Sequence, residues 1–239
     1  MQIDIGETHI RLTTDLSSHN LRDYIYSIRA DLKSYIAHNR DFLISYHPLE
    51  SKNDNPALIV QKMLEASNIC DVGPMACVAG TISEMSLNYM ISRNSSYTIV
   101  ENGGDIALVN DRKVLCGIYS GNEILGNNIA FRIKPRKNPL GICTSSARIG
   151  HSVSFGDSDS VTVISPSPSV ADGLSTRIAN EVRGNDSEER VLNAAEAAEN
   201  YKEFFSGVLI VADDSVATIG RLPKIVETNE FDTKLNTSL

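Results

Sequence analysis

The chain has 239 residues, a length that suits one large domain or two closely joined small ones. Hydrophobic residues make up 41% and charged residues 22%, values typical of a globular chain that buries a sizeable core. The formal charge of -8 and the pI near 5.1 argue against a general nucleic-acid binder and against binding to anionic membranes, because both functions need a basic surface.

The sequence also indicates a compartment. No apolar stretch approaches the length that spans a bilayer, and the N-terminal "MQIDIGETHIRLTTDL" lacks the basic-then-apolar pattern of a signal peptide. The cysteines form no Cys-x-x-Cys pair and no cluster with zinc spacing. These features predict a cytoplasmic protein with no membrane partner and with four reduced, buried thiols, those of Cys70, Cys77, Cys116 and Cys143.

Helical patterns follow an N-terminal strand. Residues 3–13 alternate between polar and apolar side chains, which predicts one strand. An apolar stripe predicts an amphipathic helix within residues 18–38, and a second helix follows Pro56. Residues 71–92 predict a further helix that begins near Pro74. Its first half is nearly all small residues, so another backbone or a ligand can approach it closely.

Strand patterns dominate the middle of the chain, and two more helices follow them. Helices are predicted at residues 170–182 and 188–201. Short runs rich in β-branched and aromatic residues predict strands at residues 97–101, 106–109, 114–119, 129–134 and 207–214 and in "ICTSS" and "SVTVIS". Helices, then strands, then helices, without strict βαβ alternation, predict an α+β fold with a largely antiparallel sheet.

The turn "NGGD" at residues 102–105 stands between two strand patterns. Gly103 and Gly104 permit positive φ and leave backbone N–H groups uncovered, which favours an anion-binding nest. Asn102 and Asp105 add polar side chains at its two ends. The alternative is an ordinary two-residue hairpin turn, for which Gly-Gly between strands is typical.

Hydroxyl side chains follow a later strand pattern. Thr144, Ser145 and Ser146, with the backbone amides around them, suit phosphate or ribose oxygens. His151 lies next to this cluster and is the only histidine after residue 47. It is a candidate general acid–base catalyst, with a structural histidine as the alternative.

Asp172 and Thr176 stand four residues apart in the predicted helix at 170–182. This spacing puts a carboxylate and a hydroxyl on one face, one turn apart. Completed by water, carbonyl or phosphate oxygens, the pair is a candidate Mg²⁺ site. The alternative is that Asp172 caps its own helix and binds no metal.

The order of these segments resembles the ApbE superfamily. A small-residue helix after Asp-Val-Gly, the Asn-Gly-Gly-Asp turn, a Thr-Ser segment and "ADGLST" follow one another as they do there. The blocks "VGPMACVAG", "VENGGDI", "GICTSS" and "GHSVSFG" match one branch of that superfamily most closely. The resemblance implies a T-fold-related α+β fold, with largely antiparallel sheet layers packed against helices. It implies a single domain of residues 1–226, followed by a flexible tail at 227–239.

The best-known members of the superfamily are FAD:protein FMN transferases, which cleave the FAD pyrophosphate with Mg²⁺ and attach FMN to a Thr or Ser of a target protein. The resemblance therefore implies FAD or FMN and Mg²⁺ as cofactors and a protein as a substrate. Matching the motifs residue by residue implies catalytic roles for His151 and Asp172 and metal binding by Asp172 and Thr176. It implies cofactor binding by Gly73, Asn102, Gly103, Gly104, Asp105, Thr144, Ser145 and Ser146.

The chain departs from the transferases at the small-residue helix. They place a Lys or Glu just before its glycine, whereas "CVAG" at residues 77–80 carries no charge. Three functions therefore stay open. The first is a Mg²⁺-dependent FMN transferase or FAD pyrophosphatase. The second is a module that binds a flavin, nucleotide or pterin-like cofactor without cleaving it. The third is an oligomeric interaction protein that associates through its small-residue face.

Overall fold

The computed structural model describes residues 1–52, 54–118, 128–146 and 156–229. Its N-terminal part is a two-stranded hairpin followed by helices. The elements are Gln2–Ile5 (β1), Thr8–Thr14 (β2), Leu21–His38 (α1), Asp41–Ile44 (α2), Leu58–Cys70 (α3), a 3-10 helix at Pro74–Cys77, and Val78–Ser92 (α4).

The remainder is mostly β structure, with two helices. Its strands are Thr98–Asn102 (β3), Asp105–Asn110 (β4), Val114–Gly117 (β5), Ile129–Ile133 (β6), Arg136–Ser145 (β7), Ser160–Ser165 (β8), Gly207–Ala212 (β9), Ser215–Gly220 (β10) and Lys224–Glu227 (β11). The helices Pro168–Ala179 (α5) and Ser187–Glu199 (α6) lie between β8 and β9.

The described strands form two sheets. The large sheet has eight strands in the order β1-β2-β3-β4-β7-β8-β9-β10, and the small one has three in the order β11-β6-β5. Each pair of neighbours in these sheets is antiparallel. The predicted α+β fold with largely antiparallel sheet layers is therefore confirmed.

The large sheet is the middle layer of the molecule. Helices cover one of its faces, where Val100 packs in a cluster with residues of α1, α3 and α4, and Val163 packs in a cluster with residues of α5 and α6. The opposite face, which includes Leu108, packs against Phe131 and its neighbours in the small sheet. Burial of apolar side chains on both faces holds the three layers together.

Two element boundaries differ from the sequence-based expectations. Residues 3–13 form two strands, because the chain turns between Ile5 and Thr8, which pair directly. Helix α5 begins at Pro168, earlier than predicted, since the Ser167 hydroxyl caps it by accepting a hydrogen bond from the Val170 N–H.

The C-terminal end of the described chain is paired with the small sheet. Glu227, the first residue of the predicted tail, ends β11 opposite Ile129 of β6. Residues 230–239 of that tail lie outside the described residues. Among the helices that the structure describes, none combines the length and the apolar composition that crossing a bilayer requires.

Candidate functional site

The β3–β4 turn is a two-residue hairpin with an open outer face. Asn102 pairs directly with Asp105, so Gly103 and Gly104 alone form the loop. Their φ angles are +66° and +103°, which L side chains rarely adopt. A Cβ atom placed on either glycine would meet no atom within 4 Å. The backbone of the turn is therefore open to a ligand. A two-residue hairpin turn of this kind can also serve as an anion-binding nest.

Hydrogen bonds hold this turn against the beginning of α4. The Asn102 amide donates to the Ala79 carbonyl at 3.3 Å, and its Oδ1 accepts from the His9 N–H at 3.3 Å. On the same helix, the Ser83 hydroxyl donates to the Asp105 carbonyl oxygen at 3.0 Å. Asn102 therefore fixes the turn to the small-residue segment of α4.

The Asp105 carboxyl group is buried beneath the turn. Burial raises its pKa from the usual 3.8 to about 7, although the nearby Cys143 thiol and Thr144 N–H act to lower it. Within the described part of the chain, no hydrogen bond reaches Asp105 Oδ1. A buried carboxyl oxygen without a partner is costly, so this atom is a candidate contact for a ligand or a cation.

Asp172 caps a different helix from its own. It is the fifth residue of α5, and its Oδ2 accepts a hydrogen bond at 2.7 Å from the Gly80 N–H near the start of α4. Burial raises the pKa of Asp172 well above its usual value and the charge of Asp105 raises it further, whereas the N–H groups of Gly80 and Ala79 act to lower it. The expectation that Asp172 caps α5 is wrong, because Ser167 occupies that position.

The predicted hydroxyl contacts divide between the two faces of the large sheet. Thr144 Oγ1 lies 2.9 Å from Thr162 Oγ1 on the face toward the small sheet. Ser145 shares the helix-facing side with Cys143, since alternate residues of a strand point to the same face. Its buried Oγ has no hydrogen-bond partner among the described residues. Thr176 is buried as well, one helical turn after Asp172.

The remaining predicted residues are placed differently. Gly73 precedes the 3-10 helix, where a Cβ would lie 1.8 Å from the Ser45 carbonyl oxygen, so chain packing alone accounts for this glycine. Ser146 is buried just after the end of β7. His151 lies outside the described residues. The structure therefore brings together the turn, Asp105, Ser145 and the α4–α5 crossing.

Close packing at that crossing explains the small residues of α4. A Cβ on Gly80 would lie 2.4 Å from the Pro168 carbonyl oxygen and 2.5 Å from Asp172 Cβ. This contact with α5 of the same chain covers the segment at Gly80, whereas Ala76 and Ala79 stay partly exposed, so self-association through this segment remains a prediction.

Three thiols lie around the carboxyl groups of Asp105 and Asp172, and the sequence motifs assigned no role to them. A Cβ on Gly173 would lie 2.7 Å from Cys70 Sγ and 2.8 Å from Cys77 Sγ. Cys143 lies close enough to Asp105 and Asp172 for both charges to raise the pKa of its thiol, after the larger effect of burial. Among the described residues, no group of three or more His, Cys, Asp or Glu is arranged to hold a metal ion.

Glu84 is a second residue that sequence reasoning missed. Its carboxylate, on α4, accepts hydrogen bonds from the Ser167 and Ser169 hydroxyls at 2.9 and 2.8 Å and from the Ser169 N–H at 3.1 Å. Lys62 forms an ion pair with it at 2.5 Å. Burial raises the pKa of Glu84, but Lys62 and Ser169 outweigh burial and keep it below its usual value. Nothing in the local sequence marks Glu84, because Ser167 and Ser169 lie more than 80 residues away and Lys62 lies 22 residues away on another helix.

The chain is similar to known proteins over most of its length. The family described as "AbpE bacteria" matches residues 1–202. A UPF0280 protein of Methanobrevibacter smithii is 60% identical, and the match covers 98% of both chains. A UPF0280 protein of Methanothermobacter thermautotrophicus is 45% identical, over 95% of this chain and 88% of that protein.

Two solved structures are similar in fold. The flavin transferase ApbE from Vibrio cholerae superposes with a TM-score of 0.57 over 97% of both chains, at 15% identity. The apo form of the flavinyl transferase ApbE from Pseudomonas stutzeri superposes with a TM-score of 0.58, over 97% of this chain and 94% of that one, at 11% identity. At these identities the likeness shows a shared fold.

Proposed function

The chain belongs to the family described as AbpE bacteria, and on that premise we propose that it binds a flavin nucleotide with Mg²⁺ at Asp105 and Asp172. One arrangement carries the proposal: Asp172 is held at Gly80 and the β3–β4 turn at Ala79, so two buried carboxyl groups meet at the start of α4, and Asp105 Oδ1 has no hydrogen-bond partner there among the described residues. Such a pair is unfavourable without a cation, and a divalent ion relieves the repulsion.

The residues present fit Mg²⁺ as part of a complex with a nucleotide. Asp172, Thr176 and the unpartnered Oδ1 of Asp105 offer oxygen atoms, which are the ligands that Mg²⁺ prefers. These are too few to enclose the ion, so the phosphate groups of the nucleotide complete the set. The uncovered amides of Gly103 and Gly104 suit a phosphate oxygen at the edge of the same site.

Calorimetric titration of FAD, with Mg²⁺ and with EDTA, tests this binding. We expect Mg²⁺-dependent binding that Asp172→Asn weakens at least about tenfold, the scale of effects seen at metal sites. Asparagine keeps an oxygen to accept the Gly80 N–H, so this variant removes charge with little change in packing. Asp15→Asn is the matched control, because Asp15 instead accepts hydrogen bonds from Ser95 and Ser96 at the other end of β3. Equal affinity in Asp172→Asn and wild type would overturn the proposal.

Transfer of FMN to a protein hydroxyl is the second candidate function. It is favoured by the unpartnered Oδ1 of Asp105, which would help to hold Mg²⁺ against the pyrophosphate of a bound FAD. The acceptor hydroxyl oxygen would bond to the phosphorus of the FMN moiety, the bond from that phosphorus to the AMP oxygen would break, and the hydroxyl proton would pass to solvent water. Bound Mg²⁺ would offset the charge that develops on the leaving AMP.

Product analysis separates binding from catalysis. FAD is incubated with the protein, Mg²⁺ and a Ser- or Thr-containing acceptor protein, and AMP and FMN are measured by chromatography. We expect AMP release with wild type and none with Asp105→Asn. If binding is measured but neither AMP nor FMN, free or attached to the acceptor protein, appears, the protein is a cofactor-binding module.

A further inference from the structure

Strand β10 is the last strand of the large sheet, and no strand among the described residues pairs with its outer edge. Its six residues, "SVATIG", contain no charged residue and no proline, and Val216 is 50% exposed. The opposite edge, β1, is shorter and carries Asp4. Natural proteins protect exposed sheet edges with charges, prolines or very short strands, because open edges pair with other chains. An uncharged six-residue edge therefore indicates a partner strand.

The hairpin geometry shows which backbone groups are free. Ala212 pairs with Ser215 around the two-residue turn of β9–β10, and such a closing pair is hydrogen-bonded. Groups alternate along the strand, so Val216 and Thr218, which are both exposed, direct their N–H and C=O groups away from β9. They form a row of donors and acceptors that an added strand would satisfy. Gly220, at φ +70°, leaves the extended conformation and ends this row.

Charges at the two ends of β10 select the partner. Asp214 precedes the strand and Arg221 follows it, and both are exposed, whereas the neighbouring Asp213 is paired with Arg190 of its own chain at 3.1 Å. A second β10 in antiparallel orientation places the acidic end of each strand beside the arginine of the other. A parallel orientation would place like charges together. The edge is thus complementary to itself in one orientation.

We propose that β10 pairs with β10 of a second copy of this chain about a two-fold axis. The two eight-stranded sheets then join into one continuous sheet. An antiparallel contact between identical strands is isologous. The β10 edge of each copy is covered by that of the other, so association through this edge stops at a dimer. The proposal is independent of the flavin site, whose residues lie on β4, β7, α4 and α5.

Sedimentation velocity and light scattering across about 1 to 100 μM, a range suited to a small interface, test the proposal. Wild type is expected to reach twice the chain mass of 26.1 kDa. Thr218→Pro removes one outward N–H without disturbing the bonds to β9 and is expected to remain monomeric. Thr218→Val keeps the N–H and is expected to dimerise. Circular dichroism confirms that each variant is folded.

A charge exchange tests the orientation. Arg221→Glu is expected to yield monomer, because it places acidic groups at both contacting ends. The double variant Asp214→Arg/Arg221→Glu is expected to restore the dimer. A wild-type mass of one chain at all concentrations would overturn the proposal, as would a dimer that Thr218→Pro leaves intact. Failure of the double variant to restore the dimer would overturn the antiparallel arrangement.

Discussion

The carboxylate of Asp172 on α5 accepts a hydrogen bond from the backbone N–H of Gly80 on α4 at 2.7 Å. The reverse contact is also present, since Glu84 on α4 accepts from the Ser169 N–H at the start of α5. Each helix therefore satisfies free N–H groups at the beginning of the other. This reciprocal capping fixes the position of Asp172 relative to the β3–β4 turn.

Gly80→Ala should destabilise the protein by about 1–3 kcal/mol, the usual cost of overpacking. The new methyl group would lie 2.4 Å from the Pro168 carbonyl oxygen, so α4 and α5 must separate. This cost opposes the helix preference of Ala over Gly, which is about 1 kcal/mol. Urea unfolding at pH 7 measures the difference. A variant as stable as wild type would show that the crossing is loosely packed.

Glu84→Ala should cost about 3 kcal/mol, because it leaves the partly buried Lys62 side chain without its partner and removes the acceptor at the start of α5. Glu84→Gln retains the shape and an acceptor and should cost less. The pKa of Glu84 is lowered in the folded protein. Its stabilisation is therefore present above the unfolded pKa and declines as pH falls through the folded pKa. Urea unfolding at pH 7 and in acid compares the three proteins; equal losses in both variants would contradict this account.

Local patterns predicted much of the fold. Alternation and turn residues located β3 and β4, and the register of Asn102 with Asp105 agrees with the Gly-Gly signal. The β1–β2 hairpin was missed although its turn shifts the apolar positions from Ile3 and Ile5 to Ile10 and Leu12, from odd to even numbers. The order of the strands was beyond sequence reasoning, since β2 pairs with β3 across five intervening helical segments. Such pairings depend on packing of the whole layer, which no local pattern encodes.

The candidate site, like the fold, could be predicted from the sequence only where it depends on local features. Its glycine turn is a local feature and could be read from four consecutive residues. The contact between Asp172 and Gly80 joins residues 92 positions apart, so no local pattern could predict it. The four-residue spacing of Asp172 and Thr176 indicated only that the two side chains share a helix face. The neighbouring thiols were also unassigned, because Cys143 reaches Asp105 through the pairing of β4 with β7.

Asp105→Asn should change how stability depends on pH. The pKa of Asp105 is about 7 in the folded protein, whereas in the unfolded chain it takes the usual value of 3.8. Between these values the folded protein holds a proton that the unfolded chain has released, so the free energy of unfolding falls as pH rises. Asparagine does not titrate, and the variant should be more stable than wild type at pH 8 by about 2 kcal/mol or more. Urea unfolding at pH 5 and pH 8 measures the change.

The control for this prediction is Asp15→Asn, which should act in the opposite direction. Burial would raise the pKa of Asp15, but hydrogen bonds from Ser95 and Ser96 outweigh it and lower the pKa to about 2. Folding therefore favours its ionised form, and the variant should lose stability at pH 8. If Asp105→Asn also lost stability at pH 8, Asp105 would be ionised and paired in the folded protein.

Gly103→Asn separates the hairpin role of the turn from ligand binding. At φ +66°, asparagine is well tolerated, and Asn-Gly is a favoured pair in two-residue hairpins. Stability should therefore stay within about 0.5 kcal/mol of wild type. The side chain enters the open space over the turn, so Mg²⁺-dependent FAD binding should weaken. Gly104→Asn is the matched variant: its φ of +103° is strained for asparagine, so it should lose stability. Unchanged FAD affinity in a stable Gly103→Asn would show that the turn serves only to join β3 and β4.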